Sequence, residues 1–345
     1  MESVTIKDIA KICGVGVSTV SRAINNHPDI NPTTKQMIMD VIQSSGYIPN
    51  NSARNLKRAD AKSIAVLIKG ITNPFFSNMV KIIEEETQKK KYSMELRHVE
   101  SYEDEVDIAL ELVKEKRLRG IIFLGGYFSH SEEKLEKLGV PFVFGTVGAP
   151  PENISKASYS DVAVDDFKES QKITDYLIKL GHEEIAILAA EPGDLSIGKL
   201  RLEGYLEALK KKEIPVRDEL IRKIHDKTDT YSMKNGYQAT KKLIESGEHF
   251  TAIYAIADSL AIGAIRALMD AGLRVPEDVS VAGYDGIELG DYITPRLTTL
   301  RQPVEEMARQ TIQLLFHIIS GKEEHQHIVY AGELIEKEST ARLKK

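Results

Sequence analysis

The stretch GVGVSTVSR, residues 14–22, brings two glycines, three hydroxyl side chains and a guanidinium together. Two chemistries need such a set. A glycine-rich loop can turn its backbone N–H groups onto a phosphate, provided a strand enters it and a helix leaves it. A turn followed by a helix can instead present hydroxyl, amide and guanidinium groups to DNA phosphates and base edges. An amphipathic helix pattern precedes Gly14, and Thr19 occupies the place of the third glycine in G-x-G-x-x-G. The context therefore opposes the phosphate loop. At 100° per residue, Val20, Ala23 and Ile24 fall on one side, and Ser18, Ser21, Arg22 and Asn25 on the other. Such a helix reads as a DNA-facing element, with a solvated helix of a small bundle as the plain alternative.

Residues 5–45 read as three short helices. The first runs from about Ile6 to Cys13, with a capping-box spacing at Thr5 and Asp8 and apolar residues at Ile6, Ile9, Ala10 and Cys13. Gly14 suits a left-handed stop. The second covers Val17 to Asn25. The third starts at Asn31-Pro32, a cap followed by proline at the first helical position, and turns Met37, Ile38, Val41 and Ile42 inward before Gly46. Residues 47–62, YIPNNSARNLKRADAK, are too short for a stable isolated helix and read as a linker that folds on a surface.

From residue 63 the pattern alternates. Apolar strand runs at 63–68, 120–126, 141–146, 185–190, 251–256 and 279–285 are separated by helical stretches such as Met79–Lys90, Ser170–Leu180 and Leu260–Ala271. Continuous apolar strands between helices imply parallel sheets covered on both faces. Ligands of such folds lie beyond the carboxyl ends of the strands. That logic selects Asn73 and Phe75 after the first strand, and Tyr127 after GIIFLGG. It further selects Arg201 in the segment after IAILAA, Asp258 after TAIYAI, and Asp285 at the end of VSVAGYD. Together they offer the bidentate polar groups and aromatic face that a hydroxyl-rich small molecule requires. The plain alternatives are a turn or cap role for Asp285 and ordinary core for Phe75. No nucleophile–base pairing or metal-ligand spacing can be argued for His130, Ser131, Asp194 or Ser196. His325 and His327 read as surface. No catalytic, metal or cofactor site is expected.

The 345 residues carry a net charge of −6, unevenly spread. Residues 1–58 hold Lys7, Lys11, Arg22, Lys35, Arg54, Lys57 and Arg58 against Glu2, Asp8, Asp29 and Asp40, so the head is basic and the body acidic. A basic head allows local contact with a polyanion. No apolar run reaches the roughly 18 residues of a membrane span, and the N-terminus shows no export pattern. The single cysteine excludes an internal disulfide and fits a reducing cytoplasm.

VTIKDIAKICGVGVSTVSRAINN followed by YIPNNSARNL resembles the headpiece and hinge of the lactose/galactose repressor (LacI/GalR) family. NPFFSNMVKIIEEE, GHEEIAIL, RLEGYLEAL, DSLAIGAIRALMDAGLRVPEDVSVAGYDG and YITPRLTTLRQP resemble that family's body, which is itself similar to periplasmic sugar-binding proteins. The resemblance spans nearly the whole chain in order. It implies an all-α helix-turn-helix headpiece at 1–47 and a hinge at 48–61. It implies an α/β body at 62–345 of two parallel-sheet subdomains, about 62–162 plus 292–324 and about 163–291 plus 325–340. It further implies a homodimer on a near-palindromic operator, controlled by a small-molecule effector, with a sugar as the leading class. Val17, Ser18 and Arg22 would face bases, though Val17 borders the inner face and can equally be bundle core. Thr5, Thr19, Ser21 and Asn25 would hold phosphates. Asn50, Ala53, Leu56 and Lys57 would belong to a hinge helix formed on DNA, with Leu56 as the wedge between base pairs; packing of Leu56 on the body is the alternative. Ligand contact is implied near Asn73, Arg201, Asp258 and Asp285. Gly16 departs from the family, where a hydroxyl residue is common. The family's tetramers carry an extra C-terminal apolar heptad segment; STARLKK stands at the end here, so a dimer is expected. A solute-binding protein and a Rossmann-type enzyme share such a body and remain the rival readings.

Overall fold

In the headpiece, the opening turn is fixed by one carboxylate. Asp8 accepts from the Thr5 backbone N–H at 2.9 Å and from the Thr5 hydroxyl at 2.6 Å, closing the N-terminus of α1 (Ile6–Ile12). The other end closes as a Schellman motif. Gly14 sits at φ +64°, Val15 N–H reaches the Ala10 carbonyl at 3.0 Å, and Gly14 N–H reaches that of Lys11 at 3.3 Å. Helix α2 (Val17–Ile24) follows after the four residues 13–16, and α3 (Pro32–Ser45) is capped by Asn31, whose side-chain oxygen accepts from Thr33 and Thr34 N–H. Ile9, Ala10, Val20, Ala23 and Ile38 form the buried centre of this bundle. Met37, expected inside, is 41% exposed; Ile38 fills the centre from α3, with Val41 and Ile42 packed beside it.

The computed structural model describes residues 4–24, 27–45, 47, 62–100, 102–126, 130–148, 154–190, 196–224, 230–322 and 324–344. The chain divides into two compact units, Met1–Ala61 and Lys62–Lys345. The expected hinge at 48–61, with Asn50, Ala53, Leu56 and Lys57, lies outside the described residues, as do Asn25 and Tyr127.

The body is built on two six-stranded sheets. The first holds β1 (Ser63–Lys69), β2 (Ser93–Val99), β3 (Leu118–Leu124), β4 (Phe142–Gly145), β5 (Ser160–Val164) and β11 (His327–Tyr330), in the order β11-β5-β4-β3-β1-β2, all parallel. The second holds β6 (Ile185–Ala189), β7 (Ile221–Lys223), β8 (Ala252–Ala255), β9 (Ser280–Asp285), β10 (Thr298–Arg301) and β12 (Glu333–Ile335), in the order β12-β10-β9-β8-β6-β7. Only β12 runs antiparallel, against β10. Helices α4 (Phe75–Lys89), α5 (Glu105–Glu115) and α11 (Val304–Ile319) belong with the first sheet, as does α6 (Glu132–Glu136), whose Leu135 joins the core of β3 and β4. Helices α7 (Asp166–Lys179), α8 (Ile197–Lys211), α9 (Met233–Glu245) and α10 (Asp258–Asp270) belong with the second.

The chain therefore crosses between the sheets three times, at 165, at 302–303 and at 331–332. This corrects the expected partition. Residues 292–301 belong to the second subdomain, because β10 pairs with β9. Residues 327–330 belong to the first, because β11 pairs with β5. His325 and His327, expected on the surface, are half-buried there: His327 Nδ1 bonds the buried Asp161, and His325 Nδ1 lies 3.0 Å from Ser160 Oγ.

Candidate functional site

The headpiece presents the outer face of α2 to solvent. Val17 is 42% exposed, which removes it from the bundle core, and Ser18 and Arg22 are exposed beside it. Thr19 and Ser21 are half-buried, and Thr5 is exposed at the start of α1. Gly16 takes the cap position of α2, its carbonyl accepting from Thr19 and Val20 N–H. A Cβ there would meet only Ser18 Oγ at 3.5 Å and Thr19 Oγ1 at 3.9 Å, so the hydroxyl residue common in the family fits without strain. Arg22 pairs with Asp29 at 3.1 Å within the headpiece, and His27 Nδ1 lies on the same carboxylate at 2.6 Å.

In the body, a cleft of about 790 Å³, solvent at its mouth included, opens at the carboxyl ends of both sheets. Asn73, Phe75, Phe76 and Thr146 line it from the first subdomain, and Ser196, Tyr231, Arg201 and Asp285 from the second. Gln302, in the middle crossing, lies between them. Phe75 and Phe76 meet edge to face, their centroids 5.3 Å apart, and offer an apolar wall. The same rings are 6% and 8% exposed, so they serve core and cleft together.

Asp285 ties the two subdomains. Its Oδ2 accepts from Asn73 Nδ2 at 3.1 Å and its Oδ1 from Gln302 Nε2 at 2.9 Å, with Arg201 Nη1 3.6 Å away. Arg201 is itself held on every side: Nε donates to Asp166 at 2.8 Å, Nη1 to the Ile256 carbonyl at 2.6 Å, and the guanidinium stacks 3.7 Å over the Tyr284 ring. The Tyr284 hydroxyl returns to Asp166 at 3.0 Å. Burial raises the carboxyls of Asp166 and Asp285, the latter to about 6 against the pull of Arg201, Asn73 and Gln302.

Asp258 does not line the cleft. It is fully buried behind β9, where its carboxylate accepts from the N–H groups of Gly286 and Ile287 and from the Thr299 hydroxyl. Burial, and then the charge of Asp285, push its carboxyl up to about 8. Thr146, Ser196, Tyr231 and Gln302 were not selected from the sequence. Thr146 ends a strand run that sheet logic had already drawn, so the same rule could have found it; Gln302 could not be placed without β10, and Tyr231 sits in a segment with no periodic signal.

Asp104, Glu105 and His130 come close enough together to hold a metal ion. Two ammonium groups already sit on these carboxylates, Lys69 on Glu105 at 2.9 Å and Lys134 on Asp104 at 2.7 Å, and His130 Nε2 is 3.1 Å from Glu105. Burial alone would raise the Glu105 carboxyl; His130 and Lys69 outweigh it and leave it lowered. The group is a satisfied ion network behind the Lys69 wall of the cleft.

A helix-turn-helix head joined to a cleft-bearing α/β body whose chain crosses three times between its sheets defines a class: a DNA-binding regulator with a periplasmic-binding-protein-like sensor. Residues 5–50 match bacterial regulatory proteins of the lacI family, and residues 174–340 match the periplasmic binding protein-like domain. The chain is 41% identical over 337 residues to the HTH-type transcriptional regulator MalR of Clostridium butyricum, covering 97% of this chain and 98% of that protein. A cellobiose complex of the transcriptional regulator CelR superposes with a TM-score of 0.71 at 27% identity, over 97% of this chain and 99% of that one. A LacI-family regulator from Enterococcus faecium with bound ribose gives 0.70 at 31% identity, over 82% and 100%. The chain belongs to the LacI family of bacterial regulatory proteins: it is a helix-turn-helix transcriptional regulator, not an enzyme. Among the described residues no helix is long and apolar enough to cross a membrane.

Proposed function

We propose that this regulator is a cytoplasmic homodimeric repressor whose grip on a near-palindromic operator is set by a sugar or sugar derivative held in the body cleft. The observation that carries the reading is the position of Asp285. One carboxylate at the end of β9 bonds Asn73 of the other subdomain and Gln302 of the crossing. A ligand whose hydroxyls take over those bonds gains contacts to both subdomains at once, and it alters the relation between them. Beside the carboxylate stand an amide, a guanidinium and an aromatic pair, the groups suited to hydroxyl-bearing rings with apolar C–H faces. Cellobiose and ribose occupy the two relatives named above, which supports a saccharide.

On the DNA side, Ser18 and Arg22 are assigned to base edges and Thr5, Thr19 and Ser21 to phosphates. Val17, exposed at the start of α2, is placed against a thymine methyl. The segment 48–61 carries the linkage: movement of the subdomains changes the separation of the two hinges across the dimer, and Leu56 enters the minor groove only in the matching state. The test is fluorescence anisotropy on an operator recovered by in vitro selection, at several salt concentrations, with and without a panel of mono- and disaccharides. A steep salt dependence, and a shift of operator affinity by at least one saccharide, are expected. Operator binding that no saccharide changes would remove the sugar assignment.

A further inference from the structure

We infer that Asp258 is a positioning residue of the effector site, acting through the backbone turn that carries Asp285. This rests on the reading that the cleft holds the effector. Asp258 stands at the first position of α10, where an acidic side chain ordinarily serves the end of its own helix. Here its carboxylate points across to another element. Oδ2 accepts from Gly286 N–H at 2.7 Å and Ile287 N–H at 2.8 Å, and Oδ1 accepts from Thr299 Oγ1 at 2.6 Å. One fully buried carboxyl group thus binds two consecutive amides of the turn leaving β9 and the side chain of neighbouring β10.

The turn needs such an anchor. Asp285 is held at φ +121°, a conformation that residues with a Cβ rarely adopt, and Gly286 follows at +78°. Strain of this kind persists only where the surroundings over-determine it. The sequence clears the space for the anchor: a Cβ at Gly283 would lie 2.2 Å from Asp258 Oδ1. The fixed backbone aims the Asp285 carboxylate at Asn73, Gln302 and Arg201 together. Without Asp258 the 286 and 287 amides lose their acceptor, the turn relaxes, and Asp285 leaves its three partners.

Two measurements on the full chain test this. Crystal structures of Asp258→Ala and Asp258→Asn are expected to differ at the turn. The alanine variant loses the positive φ of Asp285 and its bonds to Asn73 and Gln302. The asparagine variant, whose side-chain oxygen still accepts both amides, keeps them. Retention of both bonds in Asp258→Ala overturns the inference. Calorimetric titration with cellobiose and with ribose supplies the second arm. Asp258→Ala should weaken the binding sugar by roughly 10–100-fold, by analogy with the loss of a group that orients a metal-ligating side chain. It should add no further loss in an Asp285→Ala background, because its effect passes through Asp285. An equal loss in both backgrounds overturns the inference. Thr299→Val, which removes one donor of three, should give a smaller loss of the same sign, and it stands in if the alanine variant does not fold. If neither sugar binds the wild type, the sugar assignment fails and the crystallographic arm alone decides the role of Asp258.

Discussion

Replacing Arg201 by Met tests the electrostatic centre of the body most severely. The guanidinium is 3% exposed and is the cation facing Asp166 at 2.8 Å and Asp285 at 3.6 Å. Methionine replaces the apolar stem but leaves two buried carboxylates without it. Breaking a buried pair by removing one partner costs about 3–5 kcal/mol, a large share of a stability of roughly 5–15 kcal/mol. For a body of this size the midpoint of thermal unfolding should fall by roughly 10 °C. The sign of the pH dependence follows from the carboxyls. Both are already raised in the native protein, and removal of the cation raises them further. An acid with a raised folded value binds more protons folded than unfolded, so its contribution to stability falls as pH rises from about 4 through the folded value. The gap between wild type and variant should therefore widen from pH 5 to pH 8. Thermal unfolding at the two pH values is the assay. A loss below about 1 kcal/mol, against the 3–5 kcal/mol of a broken buried pair, or an equal loss at both pH values, would refute the reasoning.

Effector affinity should fall as pH drops from 7 through about 6, because ligand hydroxyls donate to the ionised form of Asp285; titration calorimetry from pH 5 to 7 checks this, and a rise on acidification contradicts it. Gly14→Ala should destabilise the headpiece by about 1–2 kcal/mol through backbone conformation alone, since φ is +64° and an added Cβ meets nothing within 4 Å. Loss of α1 and α2 amide protection before that of the body would register it; unchanged protection would argue against the Schellman stop. Arg22→Ala should cost about 1–3 kcal/mol of discrimination between operator and mismatched DNA, and Ser18→Ala less. Competition binding on a one-base mismatch series reads the difference, and a uniform loss over all sequences would move Arg22 to the phosphates.

Much of the fold was legible because apolar continuity marks central strands. SIAVLI, IAILAA and VSVAGYD are buried on both faces and announce themselves. Several strands that escaped lack that signal. Ser93–Val99 is an edge strand with Leu96, Arg97 and His98 exposed, Thr298–Arg301 is short and mostly polar, and Glu333–Ile335 spans three residues only. Missing β10 and β11 misassigned the crossings, and with them Gln302. Helix starts were read late at α4 and α7, which begin at Phe75 and Asp166 directly after the caps Pro74 and Asp165. Asp258 was legible as a residue after a strand end; only the geometry places its carboxylate behind the turn instead of in the cleft.

Regulation here requires linkage between cleft and operator, and one thermodynamic cycle tests it. Operator affinity is measured with and without saturating effector, and effector affinity with and without saturating operator. The same factor is expected on both arms, about 5–150-fold for a coupling of roughly 1–3 kcal/mol, and it should disappear in Asp285→Ala. A factor of one on both arms, with effector bound and operator bound, would contradict the linkage.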